Sequence, residues 1–404
     1  MMSQKEYPVV LITDNNYCIP TACAIQSVID SYTKDGKLVI CIITCNVSEQ
    51  NKSLFKKFAQ NNVQIRIIDY DTKDLERYNE DGYYVSGTAL IKFCIPRLLS
   101  EYDKILYIDG DVLVQKDITE IYDIDIKGYY AAVVVDMAGE VYCNFHKRLA
   151  LPRYFNSGVL LLNGSLFRSE NLENRLFKTK KDHPEYLCMD QDVFNDVFDM
   201  RVKFLPQKWN CMIPNFFLMQ EQLGLTIHDV DAFYGSTYKT IKNMEKDSYL
   251  IHLTNERKPW KFKNAYMSKK WLKTFKKTPF RRTKLHLIKA NDNGLVGKRR
   301  FFIFSIKNYV DKADLTFLRI PIVRKRHFSQ YTQIWFLGIP VAKRIWYEYE
   351  IVTVLFFFIR FRKPNWPNIQ NKINSYISTI HNSSGDSSLH KAILGQIKRI
   401  EGEF

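Results

Sequence analysis

A chain of 404 residues with 46% hydrophobic and 14% aromatic content can bury a large core, which excludes intrinsic disorder and leaves room for two domains. Its net charge of +16 is uneven: residues 271–404 carry 25 Lys and Arg against 8 Asp and Glu, whereas residues 1–270 carry 34 against 35. No apolar stretch is long enough to span a bilayer, and the start, Met1-Met2-Ser3-Gln4-Lys5-Glu6, lacks a secretory apolar region, so a cytoplasmic location is expected.

In chain order, the first 270 residues alternate apolar strands with helices. Residues 7–13 are an expected strand and 21–31 a helix; 38–44 are a second strand, followed by a helix over roughly 49–61 that Ser48 caps. Residues 63–68 form a third strand, 86–99 a helix interrupted late by Pro96, and 104–108 a strand ending at Asp109. Another strand is expected over 130–135. Continuous apolar strands separated by helices indicate a mainly parallel sheet covered on both faces, an α/β sandwich. The eight Cys residues fall between Cys18 and Cys211 with no C-x-x-C pair, and read as reduced core thiols, not as a disulfide frame or zinc site. The charge asymmetry places a domain border near residue 270, giving domains 1–270 and 271–404.

The most informative motif is Asp109-Gly110-Asp111, at the carboxyl end of a buried strand, where open α/β sheets bind their ligands. Two hard oxygen donors around a Gly that permits close backbone approach suit a divalent cation, Mn²⁺ or Mg²⁺, and through it a diphosphate. The same residues also suit a surface turn. Four further motifs accompany it: Thr13-Asp14-Asn15-Asn16-Tyr17 after the first strand, Phe155-Asn156-Ser157-Gly158 before an apolar run, Met189-Asp190-Gln191-Asp192 at a helical start, and His252 through Lys258-Pro259-Trp260.

In this order the five motifs resemble those of family 8 glycosyltransferases, over about two-thirds of the chain. The resemblance implies a GT-A (Rossmann-like) fold, a UDP-hexose donor, Mn²⁺ (with Mg²⁺ as the alternative) and retention of anomeric configuration. It implies that Asp14, Asn16 and Tyr17 meet the uracil, a carboxylate reading the ring N–H and an aromatic face stacking on the base. Asp109, Asp111 and His252 would ligate the cation, with Asp109 and Gly110 also reaching the nucleoside and Lys258 the diphosphate. Asn156 and Ser157 would bond the donor sugar's hydroxyls. Asp190 and Gln191 would lie beside the sugar, Gln191 nearest the anomeric carbon, and Asp192 in support, since successive helical residues point about 100° apart. Two positions depart from the pattern. Lys92 stands where relatives carry an Arg that contacts the donor, keeping the charge but losing the fork. Asn255 stands where Gly is common, and Asn tolerates left-handed backbone.

No carboxylate nucleophile is evident, so front-face attack by the acceptor hydroxyl within an ion pair is expected, positioned by Asp136 or Asp190. The product would be an α-linked galactose, or glucose, on a bacterial cell-surface glycan: the O-glycan of a serine-rich adhesin or a lipooligosaccharide core. Two rivals share features. A haloacid-dehalogenase-type phosphatase also carries D-x-D after a strand, but normally the first, and with Thr or Val where Leu113 stands. A catalytically inactive glycan-binding adaptor would keep the fold without turnover.

The basic tail interleaves charge with aromatics, among them Trp335, Trp346, Phe356–Phe358 and Trp366, and repeats F-L-x-I-P-[IV]-x-x-[KR] at 317 and 336, 19 residues apart. A small folded repeat is expected. It would hold the acceptor or attach to the anionic inner face of the plasma membrane; nucleic-acid binding is not expected, since no such motif is present. Residues 382–388 read as a linker before a short basic helix.

Overall fold

Nine strands carry the first part of the chain: β1 (Glu6–Asp14), β2 (Lys37–Cys45), β3 (Val63–Asp69), β4 (Lys104–Ile108), β5 (Val112–Val114), β6 (Ala131–Val135), β7 (Phe155–Asn163), β8 (Val202–Phe204) and β9 (Leu250–His252). The computed structural model describes residues 5–71, 73–76, 87–186, 188–285 and 287, and beyond them the backbone of eight strands between 295 and 364. Seven of the nine strands form one sheet in the order β3-β2-β1-β4-β7-β6-β8. β1 pairs parallel with β2 and β4, β2 with β3, and β6 with β8, while β7 runs against both β4 and β6. This is the expected mainly parallel α/β sheet. The reversed strand matters for the site: it brings the amino end of β7 to the sheet edge where β1 and β4 end.

Side chains alternate across each strand, so Val9 and Leu11 pack into one apolar layer with Ile25, Phe55 and Trp271, while Val10 packs into the other with Phe93, Phe194 and Phe198. Helix α1 (Cys18–Ser31) follows the first loop, and α2 (Glu49–Lys56) begins where Ser48 Oγ accepts from Asn51 N. α2 stops short of the expected residue 61, because a turn at Gln60 bridges back to Val63 and starts β3. The helix expected over 86–99 is a 3₁₀ run, Gly87–Cys94, followed by one α-turn, Ile95–Leu98, with Pro96 in its first turn; Pro lacks the N–H that would continue the earlier ladder. All eight cysteines are free and six are buried; burial pushes thiols such as Cys41 up to about 12.

The chain divides into two units, Met1–Leu287 and Ile288–Phe404. The helix Ser268–Phe275 belongs to the first, with Trp271, Phe275 and Phe280 buried in its core. The structural border therefore follows the electrostatic one near residue 270 by about one helix. The second unit is a meander, β10 (Leu295–Phe301), β11 (Phe304–Tyr309), β12 (Lys312–Phe317), β13 (Ile320–His327), β14 (Tyr331–Phe336), β15 (Ile339–Trp346), β16 (Glu350–Leu355) and β17 (Ile359–Pro364), each strand antiparallel to the next. Phe356–Phe358, Trp366 and the expected linker at 382–388 lie outside the described residues. Among the described residues no helix is long and apolar enough to cross a membrane.

Candidate active site

Asp109 immediately follows β4, and Asp111 immediately precedes β5. β5 leaves the main sheet to pair with β9, Val112 opposite His252, and Leu253 N donates to Asp111 O at 2.9 Å. This register brings an imidazole from 141 residues away in sequence beside the D-x-D pair. His252 Nε2 lies 3.1 Å from Asp111 Oδ1 and 3.6 Å from Asp109 Oδ2, and the three candidate ligand atoms fall within 4.8 Å of one another.

Three observations fit this cluster to a divalent cation. Its donors are two carboxylates and an imidazole, a set that suits Mn²⁺. Lys258 Nζ lies 2.6 Å from Asp111 Oδ2, a protein cation already drawn to the same carboxylate. Gly158 backs the cluster so closely that a Cβ there would stand 2.3 Å from His252 Cε1 and 2.6 Å from Asp109 Oδ2. Burial works to raise the Asp111 carboxyl, but Lys258 and His252 outweigh it and hold the group well below the usual carboxylate range.

Asn210 orients the histidine. It is fully buried, its Oδ1 lies 3.0 Å from His252 Nδ1, and its Nδ2 donates to Asn156 Oδ1 at 2.8 Å. With Nδ1 held by Asn210, Nε2 faces the carboxylates, the arrangement common around metal-binding histidines. Sequence reasoning missed both Asn210 and the packing role of Gly158. Asn210 sits in Lys208-Trp209-Asn210-Cys211, which carries no chemical pattern, and only the fold places it against His252.

A second network joins the motif at the start of β7 to the helix Met189–Phe198. Asp190 Oδ2 accepts from Lys92 Nζ and Ser157 Oγ, both at 2.8 Å, and Lys92 Nζ also lies 3.2 Å from Asp109 Oδ1. Burial disfavours the Lys92 charge, yet Asp109 and Asp190 more than compensate, and its pKa lies above the ordinary lysine value. Burial dominates at Asp190, whose carboxyl is raised despite Lys92. Gln191 Oε1 accepts from Asn156 Nδ2 and Ser157 N at 3.0 Å, while its Nε2 donates to Asp136 Oδ2 at 3.1 Å. Asp136 also lines a narrow cleft with Asn215, Gln207, Met212, Phe216 and Tyr234. Asp192 points elsewhere: fully buried, it accepts from Arg148 and Tyr154 Oη at 2.6 Å each.

The first loop reaches the same edge. Asp14 Oδ1 accepts from Tyr17 N at 2.8 Å, closing an Asx turn with Asn16 exposed on it. The Tyr17 ring meets Trp260 edge-on, with centroids 5.6 Å apart, and also lies against Gly110, where a Cβ would approach Thr21 Oγ1 to 2.5 Å. Asn15, passed over in the sequence reading, pins the loop to α2 by accepting from Ser48 N and Asn51 Nδ2. Asn255 has φ +62°, the left-handed backbone expected of it.

A D-x-D pair and a distant histidine thus meet at the carboxyl edge of this sheet. Residues 8–264 match Glycosyl transferase family 8, and the chain belongs to that family. General stress protein A of Bacillus subtilis is 24% identical over 62% of this chain and 86% of its own length. A lipopolysaccharide 1,2-glucosyltransferase of Escherichia coli is 24% identical over 64% of this chain and 77% of its own length. A probable glycosyl transferase, Gly, of Streptococcus gordonii is 29% identical over 52% of this chain, which spans only 26% of that protein. The solved galactosyltransferase LgtC, in complex with donor and acceptor sugar analogs, shares the fold with a TM-score of 0.57 and 22% identity, covering 68% of this chain and 96% of LgtC. The chain is thus a glycosyltransferase. The phosphatase reading falls with the family match, and the D-x-D indeed follows the fourth strand in sequence, not the first.

Proposed function

We propose that this enzyme moves galactose, with glucose as the alternative hexose, from a UDP-sugar to a bacterial cell-surface glycan. The linkage formed is α, and the ion is Mn²⁺, with Mg²⁺ as substitute. The juxtaposition of Asp109, Asp111 and His252 beside Lys258 carries this reading, because it collects cation ligands and a lysine where a diphosphate needs them. A divalent cation held there supplies charge neutralisation for the departing diphosphate.

The remaining work falls to the chain's own groups. Lys258 meets the diphosphate, while Asp14, Asn16 and Tyr17 receive the base and Gly110 lets the ribose approach. Asn156, Ser157, Lys92 and Asp190 surround the sugar with donors and acceptors that fix its hydroxyls. Gln191 is a poor nucleophile here, since its Oε1 already accepts from Asn156 and Ser157. That supports front-face attack by the acceptor hydroxyl, with Asp136 aligning it from the adjoining cleft. Names among the relatives support the acceptor class: one is a lipopolysaccharide glucosyltransferase. The acceptor proposed is a lipooligosaccharide core or the O-glycan of a serine-rich adhesin.

The test is UDP release with Mn²⁺ from UDP-galactose, UDP-glucose and UDP-N-acetyl sugars. Release is expected to be fastest with UDP-galactose, to stop with a chelator, and to fall about a hundredfold or more in Asp111→Ala. No release from any donor, or release indifferent to chelation, would overturn the proposal.

A further inference from the structure

The cleft beside Asp136 holds a buried polar atom that the fold itself does not use. Gln207 opens the 3₁₀ turn Gln207–Trp209 and is 6% exposed. Its Nε2 donates to Met244 Sδ at 2.9 Å, while its Oε1 has no hydrogen-bond partner among the described residues. A thioether sulfur accepts but cannot donate, so the nitrogen is the end of the amide that faces Met244. Gln207 lines the cleft and Met244 does not, which leaves Oε1 as the end turned to the cleft. A buried acceptor without a donor is rare and destabilising. The turn that carries it is held in place. Asn210 N donates to Gln207 O at 3.0 Å, Tyr249 N donates to Lys208 O at 2.8 Å, and Trp209 stacks on Tyr249 with centroids 3.9 Å apart. Asn210 also orients His252, so Gln207 Oε1 stands at a fixed place relative to the cation cluster.

The other polar groups of the cleft are already engaged. Asp136 Oδ1 accepts from Gly139 N, and its Oδ2 accepts from Gln191 Nε2 and Asn156 Nδ2. Tyr234 Oη donates to Val135 O and accepts from Met137 N. Asn215 is half-buried and can meet water. The other walls are apolar, among them Met212, Phe216, Met219 and Val230. The cleft takes up about 260 Å³ with its open mouth included, less than the roughly 300–1,000 Å³ of pockets that enclose whole small molecules. It admits a substituent and not a sugar ring. A group that fits is apolar along its length and carries a hydrogen-bond donor at its tip.

We infer that Gln207 sets acceptor specificity by accepting a hydrogen bond from the exocyclic hydroxymethyl group of an acceptor hexose. This role rests on the proposed transferase reading, in which Asp136 aligns the acceptor from the same cleft. A hydroxymethyl group has the required order, a CH₂ for the apolar walls and an O–H at its end for Gln207 Oε1. A pentose or a 6-deoxyhexose has no hydroxyl there and leaves Oε1 unpaired. An acetamido group ends in a methyl and a carbonyl oxygen, neither of which donates. A uronic acid turns an acceptor-only carboxylate toward the Gln207 oxygen in a cleft that already holds the Asp136 carboxylate, which disfavours it. Sites built to bond a hydroxyl discriminate strongly against analogues that lack it, because a buried polar group then stays unpaired.

The experiment measures UDP release by the full chain with Mn²⁺ and whichever UDP-hexose it uses fastest, stimulated by p-nitrophenyl glycosides that differ only in the group on the fifth ring carbon. The β-glucoside is compared with the β-xyloside and β-glucuronide, and the β-galactoside with the α-L-arabinopyranoside. The wild type should prefer each hexoside to its pentoside by about tenfold or more in kcat/KM, and should reject the glucuronide at least as strongly. Gln207→Met removes the amide at nearly constant length. Its preference should shrink to about threefold or less through loss on the hexosides alone, while its melting temperature holds or rises because the unpaired acceptor is gone. The wild-type preference is itself a test where the variant fails to fold. Equal use of hexosides and pentosides by the wild type, stimulation by no hexoside, or a preference unchanged in Gln207→Met would each overturn the assignment. Absence of UDP release from every donor would instead overturn the transferase reading beneath it.

Discussion

Gly158 sits where the chemistry leaves no room for a methyl group. His252 Cε1 and Asp109 Oδ2 both crowd its missing Cβ, so Gly158→Ala must push apart two of the three candidate ligands. Second-layer disturbances of this kind commonly weaken a metal site about tenfold or more. We therefore expect Mn²⁺ affinity, measured calorimetrically with UDP present, to fall by at least that factor; an unchanged affinity would mean the cation binds elsewhere. Asn210 acts on the same cluster from the other side by fixing the imidazole. Neither role was legible in the sequence, for a common reason: each residue works through contact with a partner brought in by the sheet. Asp109, Asp111, His252 and Lys258 were legible because their residue types already carry the chemistry.

At the level of elements, buried carboxylates tie loops to helix starts. Asp117 caps the 3₁₀ segment Ile118–Asp123 by accepting from Thr119 N at 2.9 Å, and reaches across to accept from Thr33 N at 2.7 Å. Burial would raise its carboxyl, but the hydrogen bonds from Thr119 and Thr33 prevail and hold it below the ordinary value. A folded pKa below the unfolded one means a contribution fully present above about pH 3.9 and lost as pH falls through the folded value. Asp117→Asn should cost about 1–2 kcal/mol at pH 7, and the gap in urea melts should narrow below about pH 3.9. A pH-independent gap would contradict this account. The continuous apolar runs made β1 to β4 readable to within one residue at each end. The three-residue strands β5 and β9 have too little period to reveal their partners, and it is their mutual pairing that assembles the site. The 3₁₀ geometry at 87–94 escaped because apolar spacing alone does not separate it from an α-helix.

Across the whole molecule, charge and packing draw different borders. The basic composition begins near 271, yet Trp271 and Phe280 are 1% exposed in the core of the first unit. Loss of such aromatic side chains costs about 3–5 kcal/mol each. A chain ending at residue 287 should therefore unfold cooperatively by calorimetry and retain UDP release, while one ending at 265 should lack a cooperative transition; comparable melting of the two would refute this. In the enzyme as proposed, two acids and a remote imidazole share a single cation that holds the nucleotide. Pulsed electron paramagnetic resonance of the Mn²⁺–UDP complex tests it most directly. Imidazole-nitrogen modulation should survive His183→Ala and disappear in His252→Ala. Modulation that persists without His252, or is absent from the wild type, would contradict it.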